Sequence, residues 1–338
     1  MQLVNRETGE QQEVTFRPFE HRDAAAIVDC LKDAYGNTYV KQELYQTESI
    51  CQQSDSGTVL FTVCETAQGE VAGMVGARVL SDFPGQYELA SQVVKTRYHG
   101  FGISTAHLRY LIGLLETKDC LALYAHSLCC HTISQKNLEN LGFTACGFVL
   151  SLYDSSRFRH QFHAVQGAKE SQIIHLRRSG LAQPGTLFVR EAYLPFVGQV
   201  YTELQVPMEF CTEEYLPTEA DSVLRVANDS FHQTCTVWLE HCGKQLPQQL
   251  NALLERLAEN PLQTVNLYLN ARDRGAVYGS RILQETGFFF TGMQPLCSQR
   301  DYLLFHHPMA VEPNFEDIQL LEKYKEQLEF VKACRGAL

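Results

Sequence analysis

Residues 89–115, LASQVVKTRYHGFGISTAHLRYLIGLL, determine the fold expected for this chain of 338 residues. An apolar run from Leu89 to Val94 is typical of a buried strand, and a polar, glycine-containing turn from Arg97 to Gly102 follows it. Apolar residues then recur at helical spacing, at Ile103, Ala106, Tyr110, Leu111 and Leu114. The start of a helix presents backbone N–H groups and the positive end of its dipole, and glycines let a phosphate come close. The stretch therefore predicts an anion site, of the kind that holds the pyrophosphate of a cofactor.

The composition is that of an ordinary globular protein, with 45% apolar and 20% charged residues, and the length favours two domains. The twelve cysteines have no CxxC spacing, and the first residues contain no apolar signal segment. We therefore expect reduced thiols in the cytoplasm rather than a disulfide scaffold or a zinc site. The net charge of -11 argues against a nucleic-acid partner and mildly favours small cationic ones. No window approaches the ~18 apolar residues of a membrane helix, so no membrane partner is expected.

The first half of the chain predicts strands and helices on both sides of that stretch. In order, these are a strand over 14–18, a helix over 25–34, a hairpin of strands over 58–65 and 70–80, the central strand and helix, a strand over 121–128, a helix over 131–141 and a strand over 143–153. Gly142 is a natural C-cap for the helix before it. The pattern is that of an α/β domain.

The second half repeats part of this order. Between Leu246 and Phe290 the sequence predicts a helix, a strand, a helix and a Gly-Phe pair, as it does between Ile103 and Phe143. No glycine loop precedes the helix near Pro247, so we do not expect this half to hold a cofactor by the same device. A last amphipathic helix is predicted over 317–333. The expected domains are residues 1–160 and 161–310, followed by a C-terminal helical segment, 311–338.

The central stretch resembles the acyl-CoA loop of the GNAT family of N-acetyltransferases. That loop is often written Arg/Gln-x-x-Gly-x-Gly/Ala, within a string such as V-V-x-P-x-Y-R-G-x-G-I-G. Arg97-x-x-Gly100-x-Gly102 satisfies the short pattern, whereas VVKTRYHGFGIS, 93–104, follows the longer string without gaps. We prefer the longer alignment because it also places the strand end, the tyrosine and the helix start. In it, His99 replaces the usual Arg or Gln, and Ser104 replaces the last Gly or Ala.

A second landmark of the family is Asn-x-x-Ala, followed by a tyrosine shortly before Gly-Phe. In this chain His131 stands where the Asn is common, Ser134 where the Ala is common, and Leu138 where the tyrosine is common. That tyrosine often protonates the departing thiolate, so its absence implies another group or solvent. The resemblance spans about residues 14–153, and 287–304 resembles the end of C-terminal GNAT-like halves in two-domain members.

The resemblance implies an α/β protein with two GNAT-like domains, each a mixed sheet flanked by helices, the second of them degenerate. It implies transfer of an acetyl group from acetyl-CoA, or of another acyl group from its acyl-CoA, to a primary amine of a small acceptor by direct attack, without a metal. The cofactor-binding residues that it implies are Val93, Val94, His99, Gly100, Phe101, Gly102, Ile103, Ser104 and His131.

Direct attack needs a base for the amine, a polarised thioester carbonyl and an acid for the thiolate. A backbone N–H near Val93 or Val94 would polarise the carbonyl. The candidate catalytic side chains are Glu88, His126 and Ser134. Each has an alternative interpretation: a solvated carboxylate at a strand end for Glu88, a core histidine for His126, and a helix cap or a cofactor contact for Ser134. Tyr98 is expected to pack the loop.

Other patterns in the sequence are weaker evidence for a functional site. A dinucleotide-binding motif would need a third glycine where Thr105 stands. The Cys129-Cys130 pair has no activating arrangement, and His306-His307 and His160-x-x-His163 are too sparse for a metal site.

Two alternatives to an enzyme stay open. One is a non-catalytic acyl-CoA-binding or regulatory protein, which the leucine at position 138 favours. The other is a structural or interaction role of the second half.

Overall fold

The computed structural model describes residues 1–80, 85–154, 169–180, 184–259, 262–295 and 300–338. These residues form two compact units. The first unit contains Met1–His126, and the second contains Ser127–Asp154 and the described residues from Lys169 to Leu338. The predicted boundary between 160 and 161 and the pattern His160-x-x-His163 lie outside the described residues, as does most of the loop before the central strand. The division into domains 1–160, 161–310 and 311–338 therefore stays a prediction.

The first unit is a mixed sheet with helices. Its strands, in spatial and chain order, are β1 (Gln2–Val4), β2 (Gln11–Pro18), β3 (Val59–Thr66), β4 (Val71–Val79), β5 (Gln86–Val94) and the first part of β6 (Ala122–Leu128). Neighbouring strands from β1 to β5 are antiparallel, and β6 runs parallel to β5. The helices are α1 (Ala24–Tyr35), α2 (Thr47–Asp55) and α3 (Ile103–Glu116). This arrangement confirms the predicted order of strands and helices up to β6.

The core of the first unit explains why these segments fold as they do. The side chains of α1 at Ile27, Val28 and Leu31 are buried against β3 and β4, as the helical spacing predicts. Ala25, the first residue of the predicted helix, is exposed, and Ala24 is buried instead. Strand β1 was not predicted because three residues of mixed polarity carry no periodic signal.

The second unit also combines a sheet with helices. Its sheet has the spatial order β8 (Lys169–Arg178), β7 (Thr144–Asp154), β14 (Phe289–Gln294), β15 (Tyr302–His307), β13 (Thr264–Asn270), β12 (Thr234–His241), β11 (Val223–Asp229). Two short strands, β9 (Thr186–Phe188) and β10 (Glu209–Cys211), form a separate parallel pair. The helices are α4 (Ile133–Glu139), α5 (Leu194–Glu203), α6 (Leu246–Ala258), α7 (Ala276–Glu285) and α8 (Lys325–Gly336). The helix–strand–helix order predicted between Leu246 and Phe290 is therefore confirmed.

The last helix is shorter than predicted. It begins at Lys325 rather than at residue 317, after two short 3-10 turns. The N–H of Gln319 donates to the carbonyl oxygen of Cys129 at 2.7 Å, and the N–H of Leu321 donates to Oε1 of Gln135 at 3.1 Å. These donors are therefore committed to other parts of the second unit, and the segment cannot use them to close helical turns. The apolar spacing at Leu320 and Leu321 comes from packing onto the core, not from a helix.

Buried histidines make the stability of the fold depend on pH. Burial lowers the pKa of His107 from 6.5 to about 3. It also lowers that of His131 to about 4 and, with help from nearby positive charges, that of His306 to about 3. In the unfolded chain these side chains titrate near 6.5, so below that pH the unfolded state binds protons that the folded state does not. The contribution of these histidines to the free energy of unfolding is therefore fully present above pH 6.5, and it is lost as the pH is lowered towards 4.

Denaturant unfolding at pH 7.5 and pH 5 should thus show a lower free energy of unfolding in acid. In His107→Gln, which keeps a donor for the buried Thr62 hydroxyl at 2.9 Å, the loss between the two pH values should be smaller. An equal loss in the variant and the natural chain would contradict this assignment.

Candidate functional site

The predicted anion site has the backbone geometry that a phosphate needs. Gly102 is the N-cap of α3 and has a left-handed conformation, with φ 74° and ψ 14°. A side-chain carbon added at Gly102 would meet no atom within 4 Å, so the space in front of the helix start is open. The N–H groups of the first turn of any α-helix have no partner within the helix and point out of its end. A phosphate held by backbone N–H groups therefore fits this combination of a left-handed glycine, a helix start and open space.

Glu70 fixes the residues that lead into this turn. Its carboxylate accepts hydrogen bonds from Nζ of Lys95 at 2.9 Å and from the hydroxyl of Tyr98 at 2.8 Å, and it also pairs with the guanidinium of Arg97. Tyr98 therefore has the structural role predicted for it. Because Lys95 and Arg97 already share one carboxylate, the positive charge near the turn is partly neutralised before any ligand arrives.

Two further side chains hold the same loop. Oδ2 of Asp33 accepts hydrogen bonds from the N–H of Thr96 at 2.6 Å and from its hydroxyl at 2.8 Å. Nδ2 of Asn5 donates to the carbonyl oxygen of His99 at 3.2 Å, and Nε2 of His99 lies 3.0 Å from the carbonyl oxygen of Val94. The loop is therefore held from outside at each residue from 95 to 99. Sequence reasoning missed Asn5, Asp33 and Glu70 because they lie far along the chain from the loop, and no local pattern marks them.

The apolar residues of the turn serve the core rather than the ligand. Phe101 and Ile103 are buried and pack with Val14, Cys64 and Ala72. Only their backbone atoms can therefore contact a cofactor. Their burial anchors the turn on both sides of Gly102, which keeps its N–H groups in fixed positions.

Strand β5 provides a free edge next to this turn. It pairs with β6 only from Gln86 to Leu89, opposite residues 122–125, although β5 continues to Val94. A bulge follows the paired part, where Ser91 has a φ of 57° and the register with β4 shifts. The N–H of Lys95 donates to the carbonyl oxygen of Ala72 at 2.9 Å, on the β4 side. Since N–H directions alternate along a strand, the N–H of Val94 points to the open side.

Glu88 and His126 lie together where the two strands separate. Oε1 of Glu88 is 3.3 Å from Nδ1 of His126, and the guanidinium of Arg78 pairs with the other carboxylate oxygen. The side chain of Glu88 is 15% exposed and that of His126 is 23% exposed. Neither the solvated carboxylate nor the core histidine considered above describes these side chains, because both are partly exposed and paired with each other.

The electrostatics of Glu88 favour an orienting role. Burial, the largest single effect, would raise its pKa, but the hydrogen bond with His126 and the charges of His126, Arg78 and Lys41 outweigh it and hold the pKa well below its usual value. Glu88 is therefore ionised at neutral pH and retains a proton poorly. A carboxylate on Nδ1 sets the tautomer and direction of an imidazole ring, so Nε2 of His126 is the atom left for proton transfer.

Two residues between α1 and α2 belong to the same site. Tyr39 is buried, bonds the side chain of Ser91 at the bulge, and has its pKa raised to about 12 by burial. The half-buried Lys41 lies close enough to Glu88 and Arg78 for their charges to act on its ammonium group. No local sequence pattern identified these two residues, because they lie outside the strands that carry Glu88 and His126.

His131 and Ser134 lie on the second unit, at the start of α4. Nδ1 of His131 accepts a hydrogen bond from the N–H of Ile133 at 3.2 Å. Thr132, not Ser134, occupies the N-cap position, and the hydroxyl oxygen of Ser134 is buried without a hydrogen-bond partner among the residues that the structure describes. Leu138 is buried. The roles of His131 and Ser134 towards a cofactor stay predictions.

The turn before α6, at Gly243, is occupied by the chain itself. The N–H of Gly243 donates to Oγ of Ser222 at 2.9 Å, that of Lys244 to the carbonyl oxygen of Glu219 at 2.9 Å, and that of Gln245 to that of Ala220 at 2.8 Å. A side-chain carbon on Gly243 would lie 2.3 Å from a backbone carbon of residue 221. The donors before α6 are thus used internally, which agrees with the expectation that this half does not hold a cofactor by the same device.

The described ranges contain neither a metal-binding cluster nor a membrane-spanning helix. There, no group of three or more His, Cys, Asp and Glu side chains is placed to hold a metal ion. Within the same ranges, no helix has both the length and the apolar character needed to cross a lipid bilayer.

The sequence comparison agrees with this geometry. Residues 24–148 match the model of the acetyltransferase (GNAT) family. The chain contains a GNAT domain. The match contains β5, the turn at Gly102 and both Glu88 and His126. It covers less than half of the chain. A mixed α/β fold with one GNAT domain is thereby confirmed, and a second one is not. Among curated proteins no match was found.

Several solved acetyltransferase structures resemble about half of the chain. The ribosomal-protein-alanine N-acetyltransferase from Brucella melitensis is 20% identical, with 48% of this chain and 99% of that one covered and a TM-score of 0.40. The ribosomal-protein-S18-alanine N-acetyltransferase from Escherichia coli is 18% identical, with 51% and 97% covered and a TM-score of 0.41. A phosphinothricin acetyltransferase from Sinorhizobium meliloti, in complex with AcCoA, is 16% identical, with 49% and 89% covered and a TM-score of 0.41. Likenesses of this size carry no conclusion about the activity or acceptor of this chain.

Proposed function

We propose that this protein is an N-acetyltransferase that transfers the acetyl group of acetyl-CoA to a primary amine of a small acceptor by direct attack. One observation carries the proposal. The open edge of β5 connects the anion-binding turn at Gly102 with the pair formed by Glu88 and His126. A ligand with a phosphate at one end and a reactive group at the other would thus lie along β5 and present that group to the pair.

Acetyl-CoA fits this surface in its charge and its shape. The pyrophosphate would be held by backbone N–H groups from Gly100 to Ser104, where the space in front of Gly102 is open. The pantetheine arm has amide groups, and the unpaired edge at Val93 and Val94 can bond them as a neighbouring strand would. The thioester then lies towards the bulge, near Glu88. His99, Phe101 and Ile103 support the turn through their packing and backbone.

The chemistry follows from the roles of the polar groups. The acceptor must lose an ammonium proton before it attacks the thioester carbon, and Nε2 of His126 takes it while Glu88 holds the ring. A backbone N–H on the open side, such as that of Val94, stabilises the negative charge that develops on the carbonyl oxygen. The carbon–sulfur bond then breaks, and the thiolate takes a proton from solvent. His131 is assigned to the cofactor by the family resemblance alone, and Ser134 stays a candidate catalytic side chain without a step assigned to it.

We propose further that the second half is a degenerate GNAT-like domain. Strands β12 and β13 are parallel and are joined through α6, as β5 and β6 are joined through α3. Helix α7 then leads to β14, which pairs antiparallel with β15, as α4 leads to β7, which pairs antiparallel with β8. The same order of elements therefore occurs twice, and the second copy lacks an open turn.

A non-catalytic acyl-CoA-binding protein is the second candidate. Its support is Leu138, a buried apolar side chain at the position where the family often has a tyrosine that protonates the departing thiolate. The two functions differ in turnover but not in cofactor binding.

A two-part experiment separates these functions. Thermal unfolding is followed with and without acetyl-CoA, and release of free CoA is then measured with a panel of primary amines. Enzymatic transfer predicts both a rise in the unfolding temperature and CoA release that depends on the amine. A rise without release would favour the binding protein, and the absence of both effects would contradict the two candidates together.

A further inference from the structure

The charges around Glu88 differ from those of the whole chain. The chain carries a net charge of -11, which suggests cationic ligands. Around Glu88, however, the structure places the guanidinium of Arg78, the ring of His126 and the ammonium group of Lys41. A charge distribution of this kind selects ligands by complementarity within the cleft, whatever the total charge of the protein.

Glu88 is not available to an acceptor's ammonium group. One of its carboxylate oxygens contacts His126 at 3.3 Å, and the other is paired with Arg78. An ammonium ion that approached Glu88 would have to displace one of these partners and would also meet the positive charges of Arg78 and Lys41. The site therefore offers a cationic acceptor little attraction.

Lys41 differs from Arg78 in its pairing. Within the described part of the chain it forms no ion pair, although it is half-buried and close to Arg78. Burial and the neighbouring guanidinium both lower the pKa of Lys41, whereas Glu88 and Glu43 act in the other direction. A half-buried cation beside a second cation would be stabilised by an anion from the ligand.

We infer that the acceptor is a primary amine that also carries an anionic group, as an amino acid does, and that Lys41 and Arg78 bind this group while the amine faces His126. This inference rests on the proposed acetyl transfer. It also has a chemical consequence for that reaction, since two cations beside the bound amine disfavour its protonated form. The same charges that recognise the anion would thus help to supply the neutral amine that attacks.

The arrangement separates acceptor classes that the family resemblance leaves open. Polyamines carry extra positive charge and would be repelled by Lys41 and Arg78. The N-terminal amine of a peptide has an uncharged amide where an amino acid has its carboxylate, so it would lose one charged contact. An amino acid or a phosphorylated amine keeps that contact, because guanidinium and ammonium groups bind carboxylates and phosphates alike.

Matched pairs of amines test the inference. Release of CoA from acetyl-CoA is measured with glycine and methylamine, with tyrosine and tyramine, and with phosphoethanolamine and ethanolamine; spermidine and a peptide with N-terminal glycine complete the panel. Within each pair that the enzyme acetylates, the amine with the anionic group should have a kcat/KM about ten- to hundredfold higher than its partner. This is the range for a hydrogen bond to a charged group. The first two pairs report a carboxylate, and the third reports a phosphate.

Two variants of one residue provide the control. In Lys41→Met the ratio of kcat/KM within a pair should fall by about tenfold or more, chiefly through KM, whereas Lys41→Arg should keep the ratio because it keeps the charge. A rise in unfolding temperature with acetyl-CoA shows that each variant is folded. If Lys41→Met does not fold, Arg78→Gln takes its place in the comparison.

The outcomes are distinct. Preferential use of methylamine, tyramine, ethanolamine or spermidine, or an unchanged ratio in Lys41→Met, would overturn the inference and leave acetyl transfer intact. Binding of acetyl-CoA without CoA release from any amine of the panel would overturn the proposed transfer, and the inference with it.

Discussion

Replacement of Gly102 by valine is expected to abolish detectable binding of acetyl-CoA while the fold persists. Gly102 has a φ of 74°, a conformation that a β-branched residue adopts only with strain, and its added side chain would fill the open space before α3. The N–H groups of the first helical turn could then no longer approach a phosphate. We expect the dissociation constant, measured by calorimetric titration, to rise by at least about 100-fold, or about 2.8 kcal/mol at 1.4 kcal/mol per tenfold change.

Gly57→Val is the matched control for this variant. Gly57 also has a positive φ, 69°, and a side-chain carbon there would meet no atom within 4 Å, but it lies in the turn between α2 and β3. The control should therefore suffer a similar backbone strain and keep its affinity for acetyl-CoA. Unchanged affinity in Gly102→Val would show that the helix start does not hold the cofactor.

Replacement of His126 by glutamine is expected to lower kcat by about 10²- to 10⁴-fold, the usual contribution of a general base. Affinity for acetyl-CoA should stay the same, because the contacts proposed for the pyrophosphate lie at Gly100–Ser104. Steady-state kinetics with an accepted amine and titration with acetyl-CoA measure the two quantities separately. A loss of turnover without a loss of affinity assigns His126 to the chemical step.

His21→Gln serves as the control, since His21 also contacts a carboxylate. Its Nε2 lies 2.7 Å from Oδ1 of Asp55, and both side chains are 63% exposed. It lies before α1, outside the strands that form the cleft, so its replacement should leave kcat unchanged. Comparable activity of the His126 variant and the natural chain would remove His126 from the mechanism and return the base to Glu88 or to solvent.

The parts of the fold that the sequence predicted are those with a local periodic signal. Strand β5, the turn and α3 were predicted because apolar spacing changes from strand to helix within one short stretch, with glycines between. The C-cap predicted at Gly142 was wrong: α4 ends at Glu139 with Asn140 as its C-cap, and Gly142, with a φ of 79°, lies in the turn that follows. The last helix was predicted, but its expected start at residue 317 was wrong, because the backbone donors of Gln319 and Leu321 bond to distant residues, which no local pattern shows.

The candidate site shows the same division. Glu88 and His126 were proposed from their strands, but their mutual contact depends on which residues of β5 and β6 stand side by side. Asp33 bonds Thr96 across 63 positions of sequence, and Lys41 reaches Glu88 from another segment. Such contacts follow from the tertiary fold, so a single sequence gives the chemistry of the turn and leaves out the residues that hold it and those that face the acceptor.

Calorimetric titration of the whole chain with acetyl-CoA tests the central claim most directly. The open turn at Gly102 and the occupied turn at Gly243 predict one acetyl-CoA per chain, with no second site in the other half. The absence of binding at millimolar acetyl-CoA, or the binding of two molecules per chain, would contradict the account.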